Sequence, residues 1–223
     1  MKNIILVGLP STGFYHFEVV AKLLSFELPA DVKLNFNLIS NCLIYDARER
    51  LVDFALNIGA SHIFFLDSDM NPDSNVIKKL YEADKDIISP MIFMRKYPFQ
   101  PCFYTKCGLT KDFKPLFEGP AEPEAWPTEG VYEFEGVGMA CCLIKTEVFK
   151  KIPKPWFFPL PNVGEDLSFC MKARKSGAKI WVDMGMDCKH LNMFPVDKSS
   201  YVAGYNDWMS REENKGKLMF GGE

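Results

Sequence analysis

The chain has no apolar run that approaches the roughly 18 residues a membrane span needs. It holds seven cysteines but no Cys-x-x-Cys pair, so the usual spacing of a zinc or dithiol redox site is missing. Their odd number, and the placing of most of them in apolar runs, fits small buried hydrophobes in a reducing compartment. Neither sign of charge dominates. With 26 Lys and Arg against 29 Asp and Glu, and a sequence pI near 5.7, nothing points to nucleic acid or to an anionic membrane. Internal repeats and low-complexity tracts are absent as well. The N-terminal apolar run extends only from Ile4 to Leu9 and stops at Pro10, which suits a first strand better than a signal peptide. Together these absences predict a soluble, cytoplasmic chain without a transmembrane segment.

What is present is a core-forming α/β pattern. Hydrophobic residues make up 48% of the 223, enough to bury a sizeable core in one domain. Residues 3–9 read as a buried strand, and Phe14, Phe17, Val20, Ala21 and Leu24 recur at helical spacing. Val32, Leu34, Phe36 and Leu38 alternate with polar residues as in a half-buried strand. Residues 43–58 return to helical period, with Gly59 as a C-terminal cap. Residues 62–66 form another apolar strand, Asn71-Pro72-Asp73 starts a helix, and residues 86–89 form a fourth strand. This order predicts a mainly parallel sheet flanked by helices.

Beyond about residue 90 prolines become frequent and residues 106–130 read as loop-rich. Strand-like runs over 131–145 are broken by Gly136 and Gly138, and a short helix starts at Thr146. A helix over about 165–175 closes at Gly177 and leads to a strand over 179–183. The change near residue 90 predicts two functional halves of one domain, about 1–90 and 91–195, followed by a tail or lid over 196–223.

Three sets of residues carry chemistry. Asp67-Ser68-Asp69 follows a very apolar strand, at the end where parallel sheets bind ligands. If the chain stays extended, both carboxylates face one side and repel unless a cation lies between them. A hard divalent ion, Mn²⁺ or Mg²⁺, meets that need and bridges to a diphosphate; an exposed acidic turn is the plainer alternative. Glu165-Asp166 opens a helix, where carboxylates are favoured by the helix dipole and where one of them can act as a general base. His190 lies beyond the expected strand end, and imidazole with carboxylates suits Mn²⁺. Trp156, Phe157 and Phe158 are placed either to stack on a ligand ring or to anchor a loop.

In combination these residues resemble a GT-A-fold glycosyltransferase, close to the inverting family 2 superfamily. The resemblance rests on Ala47-Arg48-Glu49-Arg50, on His62 to Met70 with its Asp-x-Asp, on Gly138 to Ile144, on Gly164-Glu165-Asp166 and on His190, and it spans roughly residues 3–192. It implies a Rossmann-like sheet and a nucleoside-diphosphate sugar donor, UDP by preference. The acceptor would be a glycan or another hydroxyl compound. It also implies that Asp67 and Asp69 face the nucleotide ribose and the metal-bound diphosphate, with Asp67, Asp69 and His190 toward the metal, Pro10, Ser11, Thr12 and Ser68 toward the nucleotide, and Asp166 as base beside Glu165. Arg48, Arg50 or Arg95 would meet phosphate. The chain departs from the pattern at Glu49, where the family usually has Asn, and it lacks the Gln-x-x-Arg-Trp motif of processive synthases. Two rival functions share some features. A nucleotidyltransferase would carry a basic residue in a Gly-rich loop near the start, and Gly8 to Gly13 has none. A non-catalytic carbohydrate-binding protein would not need both acidic pairs.

Overall fold

A computed structural model of the protein describes residues 3–120, 122–192 and 196–214. The expected alternation of strand and helix is present in the first half: β1 (Asn3–Ser11), α1 (Phe17–Leu23), β2 (Val32–Ser40), α2 (Ile44–Asn57), β3 (His62–Leu66), β4 (Met70–Asn71), α3 (Val76–Glu82) and β5 (Ile87–Ile92). The second half adds β6 (Phe103–Tyr104), β7 (Lys106–Leu109), β8 (Pro115–Glu118), β9 (Val131–Phe134), β10 (Gly136–Val137), β11 (Cys141–Lys145), α4 (Thr146–Lys150), α5 (Glu165–Lys175), β12 (Ile180–His190) and α6 (Lys198–Ser210).

The central sheet runs in the order β2-β1-β3-β11-β5-β12-β4, with β9 also paired to β12. Strand β1 is parallel to β2 and β3, and β5 is parallel to β12. A simple βαβ progression would seat β5 beside β3. Instead β11 lies between them, antiparallel to both, so one sheet is built from both ends of the chain. Every residue of β3 and β5 is buried, which explains their unbroken apolar runs.

Alternate residues supply two cores. Ile5, Val7, Leu9, Phe64 and Leu66 face the layer holding α1 and α3, through Val19, Val76, Ile77 and Leu80. Leu6, Ile63 and Phe65 face the layer holding α2, α4 and α5, through Leu51, Val52, Ala55, Phe149 and Phe169. Gly8 marks a close approach on the second side, where a Cβ would stand 3.3 Å from both Ile63 and Leu51 side-chain atoms.

Several sequence expectations need correction. Helix α1 exists, but Phe17, Val20 and Leu24 point outward while Val19 is buried. On β2 the expected inward face holds Val32 but leaves Phe36 and Leu38 exposed, because β2 is the sheet edge. Helix α3 begins at Val76, after Asn75 and not at Asp73, so Asp73 is not its cap. The loop-rich stretch contains the β7–β8 hairpin. Strand β12 runs on to His190 through a register shift between Asp183 and Asp187. The shift leaves residues 184–186 of β12 without partners on β5.

The described part of the tail is a packed helix. Asp197 caps α6 with a reciprocal Ser200 box, and the buried Tyr201 ring stacks 5.4 Å from Trp126 and 5.7 Å from Phe93. Residues 215–223 of the expected lid lie outside the described residues. Among the described residues no helix is long and apolar enough to cross a membrane, and the cysteines are free thiols.

Candidate active site

Strand β3 ends at Leu66, and Met70 N donates to Asp67 O at 3.2 Å, so Asp67-Ser68-Asp69 is a turn and not an extension of the strand. The turn is held from three directions. Asp67 N donates to Ala140 O (2.8 Å), His16 N to Ser68 O (3.1 Å) and Leu191 N to Asp69 O (2.7 Å). These bonds tie the triplet to the segments after β1, before β11 and after β12. Because the turn breaks the two-residue alternation, the two carboxylates meet different cations.

Asp67 is held by Arg48. The guanidinium Nη2 lies 3.1 Å from each Asp67 oxygen, Nη1 donates to Met139 O at 3.2 Å, and Nε donates to Glu165 Oε1 at 3.4 Å. Arg48 is 2% exposed, so the expected phosphate contact does not describe it in this structure. Its donors are spent inside the protein, joining α2, the β3 turn and the start of α5. Burial lowers the Arg48 pKa, but the charges of Asp67, Glu165 and Asp166 outweigh it and hold the guanidinium above its ordinary value. Burial likewise pushes Asp67 above the usual carboxylate range, against the pull of Arg48.

Asp69 faces the other way. Its Oδ2 is 2.9 Å from Arg95 Nη1 and 3.5 Å from His190 Nε2. His190 Nδ1 is 2.8 Å from Phe93 O, which can only accept, so Nδ1 carries a proton. Nε2 is thereby turned toward the Asp69 carboxylate. Burial raises the Asp69 pKa, but the His190 hydrogen bond and charge, with the Arg95 charge, bring it below the ordinary value. Among the described residues no group of three or more His, Cys, Asp or Glu side chains is arranged to hold a metal. Of the three side chains expected at the metal, the structure brings Asp69 and His190 together and turns Asp67 to Arg48.

Asp166 lies beside the Arg48 network, at the first turn of α5. Burial and the Glu165 charge raise its carboxyl to about 6, even though its Oδ1 accepts from Leu167 N at 2.7 Å. One glycine makes room for it. A Cβ at Gly164 would stand 2.6 Å from Asp166 Oδ1, whereas a Cβ at Gly138 would meet Cys102 Cβ at 3.2 Å. At both positions glycine serves space and not backbone freedom, since neither has a positive φ.

Of the nucleotide-loop residues, Pro10 and Ser11 end β1 and are buried, while Thr12 is exposed. Ser11 Oγ accepts from Gly13 N and donates to Phe14 O, which closes the loop. Tyr15 was not anticipated from the sequence. Its hydroxyl donates to Pro10 O (3.4 Å), and burial raises it to about 12, with the Asp67 charge contributing. An aromatic placed four residues after Ser11 was its only signal. Two of the expected sugar-stacking aromatics are core residues: Trp156 Nε1 donates to Phe149 O and Ile152 O, and Phe157 stacks on Phe169 at 4.7 Å. Only Phe158 of the three is exposed, and Arg50 is exposed and apart from these networks.

No family model matches the chain, and no curated protein matches it. Solved structures do. The crystal structure of A197 from STIV matches with a TM-score of 0.58 at 18% identity, covering 86% of each chain. GalNAc-T7, solved with UDP, GalNAc and Mn²⁺, matches with a TM-score of 0.56 at 12% identity over 96% of this chain and 49% of that one. This chain thus spans about half the length of the GalNAc-T7 structure. At these identities the likeness concerns the fold. It is a mixed α/β domain with a mainly parallel central sheet flanked by helices, consistent with a GT-A-like fold.

Proposed function

We propose that the chain is a metal-dependent glycosyltransferase that moves a sugar from a nucleoside-diphosphate sugar to a hydroxyl acceptor with inversion. The observation that carries this reading is the meeting of the two acidic pairs at Arg48, which bonds both Asp67 and Glu165. UDP is the favoured donor nucleotide, in keeping with the UDP and Mn²⁺ of the GalNAc-T7 structure.

The residues divide the work. Asp69 and His190 would hold Mn²⁺ or Mg²⁺, whose Lewis acidity would neutralise charge on the departing nucleoside diphosphate. Arg95, exposed and paired with Asp69 in the free protein, is free to swing to a phosphate oxygen. Asp67, neutralised by Arg48, fixes the turn and faces the donor ribose beside Ser11, Thr12 and Tyr15. Asp166 takes the proton of the acceptor hydroxyl as that oxygen attacks the anomeric carbon. A carboxyl tuned to about 6 is well matched to that role near neutral pH. Glu165, held by Arg48, orients the hydroxyl groups next to it.

Incubating the protein with UDP-, GDP- and dTDP-sugars and Mn²⁺ tests the reading. Release of nucleoside diphosphate supports it. Release of pyrophosphate would instead indicate nucleotidyl transfer, and sugar binding without any donor turnover a carbohydrate-binding protein.

A further inference from the structure

We infer that the outer face of α1 is a self-association surface that takes a second copy of this chain in antiparallel, two-fold contact. The inference does not depend on the enzymatic reading.

Helix α1 is apolar on two faces. Val19 is buried and Leu23 packs against the α1-side core, while Phe17 (81% exposed), Val20 (44%) and Leu24 (89%) form a second stripe. At 100° per residue Phe17, Val20, Ala21 and Leu24 fall within about 100° of arc, opposite Val19 and Leu23. Within the helix such a row is not scattered surface hydrophobicity, since side chains three and four apart are neighbours. Phe14, 85% exposed, lies in the segment that leads into α1.

The flanking charges choose the occupant. Glu18 and Lys22 lie together along one border of the stripe, the acid nearer the N-terminus and the base nearer the C-terminus. Antiparallel packing of two identical helices sets Glu18 of each copy against Lys22 of the other, so the surface complements itself. A membrane surface fits less well, because interfacial helices carry Lys and Arg in excess on their borders and here one acid balances one base.

The area also suits a dimer. Phe14, Phe17, Val20 and Leu24 together expose roughly 500 Å². Phe36 and Leu38, exposed on the edge strand β2 and in line with Val32 of the same core, add a second apolar patch of roughly 200 Å². A standard interface takes about 800 Å² from each partner.

The test is sedimentation equilibrium of the full chain from about 1 to 200 µM, with circular dichroism of each variant to check the fold; this range brackets the Kd of a modest interface. The expected result is a reversible monomer–dimer equilibrium. It should be abolished by Phe17→Ser with Leu24→Ser, whose positions are exposed and leave the core intact. Glu18→Lys should weaken it at least tenfold, and adding Lys22→Glu to Glu18→Lys should restore it. A wild type monomeric at 200 µM overturns the inference, as does a dimer indifferent to the stripe variants. Co-sedimentation of a monomer with phosphatidylcholine or phosphatidylserine vesicles, lost in the double Ser variant, would overturn it in favour of a membrane.

Discussion

Arg48 and Asp67 form a two-oxygen contact in which one guanidinium nitrogen lies 3.1 Å from both carboxylate oxygens, 19 residues away along the chain. The same guanidinium reaches Glu165, 117 residues away. One buried side chain thereby connects the β3 turn with the helix that carries Asp166, and it sets the first expectation.

Arg48→Ala leaves Asp67 and Glu165 in a partly buried place without their cation. The expected loss of stability is about 3 kcal/mol, the usual cost of orphaning a buried charge, measured by urea unfolding at pH 7. Arg48→Lys keeps the charge but not the fork that serves Asp67, Glu165 and Met139 O together. It should fall between wild type and Ala.

Asp166→Asn should abolish transfer and spare donor binding. In the wild type the rate should fall tenfold per pH unit below about pH 6, where the base becomes protonated. Stability should move in the opposite sense. Folding raises this carboxyl from 3.8 to about 6, so its contribution is greatest below 3.8 and is lost as pH rises through 6. Asn removes that cost, and the variant should be more stable than wild type by roughly 1–3 kcal/mol at pH 7 but not at pH 4. Thermal melts at the two pH values check the sign, and near-normal turnover would remove Asp166 as the base.

Two protein ligands make a weak metal site by themselves. Mn²⁺ alone should barely change the melting temperature, whereas Mn²⁺ with UDP should raise it by more than the sum of the two separate effects. Asp69→Asn or His190→Gln should erase that synergy. Arg95→Ala removes the cation that competes for Asp69. It should strengthen Mn²⁺ binding in the absence of nucleotide while weakening UDP, as calorimetry would read.

Gly164→Ala tests whether glycine there serves Asp166. The new Cβ would stand 2.6 Å from Asp166 Oδ1 and force the carboxylate to turn. A drop in kcat of at least tenfold is expected, as for a misplaced catalytic group. The melting temperature should change little, because the displaced atom ends a flexible side chain.

Much of this was legible locally. Unbroken apolar runs marked β1, β3 and β5, and helical spacing marked α2. Gly164-Glu165-Asp166 marked the start of α5. The acidic triplet stood out by following the most apolar strand. Periodicity failed where it had to choose a face: Phe17 and Leu24 have helical spacing whether they line a core or face outward. Trp156 and Phe157 read equally as sugar platform and as anchor until Phe149 and Phe169 were seen beneath them.

The sequence by itself determined the kinds of element and the order of the acidic motifs, because hydrophobic alternation and turn chemistry act over a few residues. Only the tertiary structure decided that β11 inserts antiparallel between β3 and β5, that Arg48 is buried, and that Asp67 and Asp69 serve different cations. Those outcomes depend on partners far apart in the chain, such as Arg48 with Met139 and Glu165, 91 and 117 residues away, or His190 with Phe93, 97 residues away. No local pattern records such pairings, since they arise only when distant segments share the burial of one sheet.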